Sequence, residues 1–108
     1  MIMPNDLKMG QCYFLMSFYD RGLQYPRIRT MFYIGKNIFE EQAGKDRWYF
    51  QDAETYLNQG TPKNESEAVD LAVLALDADA LPLVETLEGL IGTLNDMKEN
   101  KLKFKHKP

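Results

Sequence analysis

Cysteine and histidine are almost missing from this chain: its 108 residues include one of each, Cys12 and His106. A lone thiol forms no internal disulfide, which fits a reducing compartment. Two residues of these types cannot supply the four ligands of a structural zinc site. They also leave no nucleophile–base pair, because the one imidazole sits third from the end in a lysine-rich tail. Cys12 lies in an apolar alternation and reads as a buried, inert thiol. Long hydrophobic runs are missing too. The longest, Cys12 to Met16 and Leu71 to Leu76, fall far short of the ~20 residues that cross a bilayer. The opening Met1-Ile2-Met3-Pro4-Asn5-Asp6 has no apolar signal-peptide core, so a cytoplasmic location without membrane contact is expected. Gly35-Lys36-Asn37 resembles the end of a phosphate-binding loop, but Thr30 stands where that loop needs Gly and Asn37 where it needs Ser or Thr. No catalytic set, metal site or cofactor is expected.

What the chain does have is enough apolar material for a core. It is 44% hydrophobic and 12% aromatic, which argues against disorder. At this length one domain spanning 1–108 is expected. Its parts differ sharply. Residues 1–64 hold 8 Lys/Arg and 7 Asp/Glu; residues 65–100 hold 9 acids against Lys98 alone; the last eight residues carry four lysines. Twelve of the 13 aromatics lie between Tyr13 and Tyr56. Aromatics favour strands, and Ala, Leu and Glu favour helices. Residues 1–57 therefore read as mainly β with a short helix near 53–57, residues 64–99 as helical, and 100–108 as a basic tail.

Three segments alternate as strands: 11–19, 28–34 and 47–51. The first sets Cys12, Phe14, Met16 and Phe18 against Tyr13, Leu15, Ser17 and Tyr19, and ends in the turn chemistry of Asp20-Arg21-Gly22. The second sets Ile28, Thr30, Phe32 and Ile34 against Arg29, Met31 and Tyr33, and the third sets Trp48 and Phe50 against Tyr49. One buried and one half-covered face are expected. Asp52 is placed to cap the short helix, which Gly60 closes. Asn64 and Glu67 form a capping pair for a helix over 64–78. Asp79 is placed to cap a second, over 80–99, with Pro82 in its first turn and a stripe of Leu83, Leu87, Leu90, Ile91, Leu94 and Met97. The expected fold is α+β, an antiparallel sheet of three to four strands packed against two C-terminal helices. A small half-open barrel with appended helices is the alternative.

The binding candidates are Tyr13, Tyr33 and Tyr49 with Arg29 and Arg47, all on the strand parity opposite the most apolar face. Aromatics beside arginine on a sheet serve as hot spots for a protein partner or stack the bases of a single strand. A net charge of −3 disfavours phosphate. A small interaction or regulatory protein acting by protein–protein binding is the leading reading. A single-stranded nucleic-acid module is second, and a small enzyme using carboxylates, Tyr and Lys is third. Gly89 and Gly92 lie in the second helix away from its leucines, where a homodimer contact would use the missing side chains. The tail Lys101-Leu102-Lys103-Phe104-Lys105-His106-Lys107 alternates like an edge strand.

Overall fold

The computed structural model describes residues 2–39 and 44–105, with side chains as far as residue 99. The aromatic alternations form three strands: β1 (Cys12–Phe18), β2 (Pro26–Lys36) and β3 (Trp48–Asp52). Two further strands come from the second half, β4 (Val73–Leu76) and β5 (Val84–Glu85). Together they make one antiparallel sheet of order β4-β3-β2-β1-β5. The helices are α1 (Ala53–Gln59), α2 (Glu65–Asp70) and α3 (Leu87–Lys105). The class is α+β as expected, but with five strands where three or four were expected.

The extra strands replace expected helix. The helix expected over 64–78 stops at Asp70. Its start is as the sequence implies: the Asn64 side chain accepts from the Glu67 amide at 2.9 Å, and the Glu67 carboxylate accepts from the Lys63 amide at 3.1 Å. Its end is different. The Ala72 amide turns back to the Val69 carbonyl at 3.3 Å, and Ala72 takes a left-handed φ of 55°. That bend sends Val73–Leu76 into pairing with Gln51–Trp48. A free edge on the aromatic strand overrides the helix preference of Leu and Ala.

The helix expected over 80–99 starts only at Leu87, and Asp79 does not cap it. The Asp77 carboxylate accepts from the Ala80 amide at 2.9 Å instead, opening a 3-10 turn at Leu81–Leu83 that holds Pro82. The Thr86 hydroxyl then accepts from the Gly89 amide at 3.1 Å and starts α3. This helix runs on through Lys105, into the segment read from sequence as an edge strand. Residues 106–108 of that tail lie outside the described residues.

The faces of β1 and β2 are reversed, whereas β3 turns Trp48 and Phe50 inward as expected. The core gathers Tyr13, Met31, Tyr33, Trp48 and Phe50 with Leu81 and Val84. Cys12, Phe14 and Met16 share the other face with Phe32, whose ring stacks on Tyr56 of α1 at 4.3 Å. A register shift follows between Tyr33 and Gly35. Gly35 has a φ of 136° and no room for a side chain, since a Cβ would lie 2.6 Å from Ile38.

Every residue of β3 from Trp48 to Gln51 is buried, so its back must be covered as tightly as its front. Gln51 does this with hydrogen bonds. Its amide nitrogen donates to the Thr55 hydroxyl at 3.2 Å and to the Gly60 carbonyl at 2.9 Å. The Thr55 hydroxyl donates to the Leu71 carbonyl, tying α1 to the end of α2. Thr55→Val keeps the side-chain shape but leaves these partners unsatisfied. It should lower unfolding free energy by about 1–3 kcal/mol, read as a lower urea midpoint at unchanged m-value.

Candidate interaction surface

The five residues expected to form a binding face do not come together as one. Tyr13 and Tyr33 are 3% and 6% exposed and belong to the core, where Tyr33 lies 5.3 Å from Phe50 between ring centres. Tyr49 is 3% exposed on the opposite face, with its ring edge-on to Phe39 at 5.1 Å. Burial pushes the Tyr33 and Tyr49 phenols above their ordinary range, which keeps them neutral. Arg29 is half-buried at the far end of β2, opposite Leu15. Arg47 precedes β3; its guanidinium donates to the Asp46 carbonyl at 3.1 Å and its amide to the Asn37 side chain at 2.8 Å. Cys12 is half-buried, and desolvation raises its thiol above the ordinary range, away from the reactive thiolate.

Exposed aromatics lie instead at the β1–β2 hairpin tip. Tyr19, Leu23 and Tyr25 are 74%, 60% and 60% exposed, all within residues 19–25. The tip is held in one shape. Tyr19 donates its amide to the Tyr25 carbonyl at 2.9 Å, and Leu23 donates to the Asp20 carbonyl at 3.4 Å. The Asp20 carboxylate accepts from the Tyr25 amide at 2.9 Å and from the Gln24 amide at 3.1 Å. The Tyr25 amide, followed by that of Gln24, holds this carboxyl below its ordinary range. Leu23 has a left-handed φ of 55°. A branched residue in that conformation is strained, and here its apolar side chain is turned to solvent. Arg21 and Arg27 are exposed beside it, and Arg29 follows on the same strand. Over residues 17–30 there are three arginines and one acid, Asp20, whose oxygens already serve the loop. Sequence reading took this segment only as turn chemistry. The signal it missed is a tyrosine on each side of a turn whose aspartate binds the backbone.

Two other features bear on the alternatives. A cleft of about 550 Å³ between the N-terminal turn and the start of α3 is lined by Asp6, Lys8, Tyr13, Glu85, Thr86 and Gly89, among others. The Tyr13 hydroxyl accepts there from the Lys8 amide at 3.0 Å. Among the described residues no three acid, His or Cys side chains gather as metal ligands. The glycines of α3 differ from one another. A Cβ on Gly89 would lie 2.1 Å from the Glu85 carboxylate, so this glycine makes room for a side chain of its own molecule. A Cβ on Gly92 would meet nothing within 4 Å. No described helix is long and apolar enough to cross a membrane. No protein-family model, curated protein or solved structure matches the chain.

Two outcomes follow. Gly92→Ala should raise stability by about 0.5–1 kcal/mol, and Gly89→Ala should fall short of that gain because Glu85 must move; thermal melts of the two variants compare them directly. Asp20→Ala should speed hydrogen exchange at the Gln24 and Tyr25 amides and leave Met31 and Phe50 protected. Acid should act the same way. The depressed carboxyl orders the tip above its unfolded value near about 3.9, and that ordering is lost as pH falls through the lower folded value.

Proposed function

We propose that this protein acts by binding another protein, with the β1–β2 hairpin tip as its docking element. The observation that carries the reading is the pairing of exposure with restraint. Tyr19, Leu23 and Tyr25 present apolar area to solvent on a loop fixed by Asp20. A fixed loop loses little conformational entropy on docking, so aromatic contacts convert to affinity with small loss. Tyrosine and arginine are the residue types enriched among interface hot spots. The excess of arginine over acid at the tip selects a partner surface rich in carboxylates.

The test is capture from native cell extract on immobilised protein, with Tyr19→Ala/Tyr25→Ala as the control. Both side chains are largely exposed, so the variant should stay folded. Its partner should be held more than about tenfold less tightly, the scale of losing two hot-spot residues. Equal capture by the variant would overturn the proposal. Binding of a single-stranded oligonucleotide that falls steeply with salt and disappears in the same variant would assign the tip to nucleic acid instead.

A further inference from the structure

The β1–β2 hairpin outruns the sheet that carries it. Among the described strands, β3 pairs with β2 only from Met31 to Lys36, and β5 pairs with β1 only at Phe14 and Leu15. From Met16 with Ile28 to Phe18 with Pro26 the ribbon is two strands wide. Arg27, Arg29 and Met31 share one face of β2, because alternate residues of a strand point the same way. Met31 is buried in the core, Arg29 is half-buried and Arg27 is exposed. The cover over the core therefore ends between Met31 and Arg27, and the same face continues as an open, cationic one.

Neither arginine is engaged: among the described residues no carboxylate forms an ion pair with Arg27 or Arg29. Asp20, the one acid within residues 17–30, accepts from the Gln24 and Tyr25 amides of its own loop. The planar fork of a guanidinium matches a carboxylate, so each arginine can take one. Their spacing adds a second condition. Residues two apart on a strand lie about 6.6–6.8 Å apart, and an extended ligand repeats its own side chains at that interval. Alternate acids of such a ligand meet Arg29 and Arg27, and an apolar residue beyond them reaches the exposed Tyr19 and Leu23. A long phosphate chain suits the molecule less well, because residues 65–100 carry nine acids against one lysine and repel it.

We propose that the Arg27–Arg29 face of the hairpin binds an extended acidic segment of the partner protein. That segment carries Asp or Glu at alternate positions and an apolar residue at the end that meets the tip. The inference rests on the reading of the tip as a docking element and adds the sequence it selects. Side chains make the contact across the face, through charge-assisted hydrogen bonds, and no free strand edge is needed.

The test titrates two capped peptides into the labelled full chain at low salt and follows the amide NMR shifts. Leu-Ser-Glu-Ser-Glu-Ser-Leu sets its acids on one face and reads the same in both directions. Leu-Ser-Ser-Glu-Glu-Ser-Leu has the same composition with its acids on opposite faces. The first should give saturable shifts within residues 17–30, and the second should bind about threefold more weakly. Arg27→Gln/Arg29→Gln should weaken the first peptide about tenfold and leave the Trp48 and Phe50 amides where they are. Equal binding of the two peptides would reduce the effect to net charge and overturn the proposal. Shifts confined to other strands, or no binding at low salt, would do the same. Tighter binding of single-stranded oligothymidylate at the same residues would make phosphate the occupant and overturn it too. In capture from extract, loss of the partner by Tyr19→Ala/Tyr25→Ala but not by Arg27→Gln/Arg29→Gln would keep the tip as the docking element and overturn the acidic segment alone.

Discussion

The burial of Gln51 governs the arrangement of everything behind β3. A fully buried amide must find partners or cost free energy; the Gln51 nitrogen finds them at both ends of α1, in Thr55 and Gly60, while its Oε1 stays without a partner. Thr55 extends the link to the Leu71 carbonyl, just where the chain leaves α2. The Asp52 amide donates to the Ala72 carbonyl at 3.1 Å and fixes the next residue. From Leu71 and Ala72, so held, Val73 enters the pairing with β3. One side chain thus connects strand, two short helices and the added edge strand. The front of the sheet is filled mainly by the packing of rings from Tyr13, Tyr33, Trp48 and Phe50, with the Tyr13 hydroxyl accepting from the Lys8 amide at its margin.

Much of the fold was legible where local chemistry decides the outcome. Asp52 caps α1 and Asn64 caps α2 because a short acceptor side chain before a helix has few other uses. The three aromatic strands were legible because alternation every second residue fits no helix. The last two strands were not. Val73-Leu74-Ala75-Leu76 consists largely of good helix formers, no glycine marks the end of α2, and the left-handed turn falls on Ala72. Only the long-range pairing with β3 makes this segment a strand. The choice of core face failed for a related reason. Both faces of β1 are rich in large side chains, so alternation located the strand and left its orientation open.

The candidate surface was harder to read, and exposure is the reason. Thirteen aromatics crowd the chain, and nothing local separates Tyr13, at 3% exposed, from Tyr19, at 74%. The separation arises because Tyr13 lies within the paired length of β1, whereas Tyr19 lies one residue past the last pair, Phe18 with Pro26. Pro26 opens β2 at a position where its missing N–H costs little. Beyond it the chain must turn without ladder support, and Asp20 provides the missing acceptors.

The tip and the β4 edge differ in what holds them in place, and this sets how each can respond to conditions. The tip depends on one exposed carboxylate accepting backbone amides, a local arrangement that acid dismantles without touching the core. The β4 strand depends on Gln51, Thr55 and the Ala72 turn, all of which are neutral, so pH in the carboxylate range leaves its backbone in place. On the proposed reading, docking at the tip therefore requires Asp20 ionised for the shape of the loop.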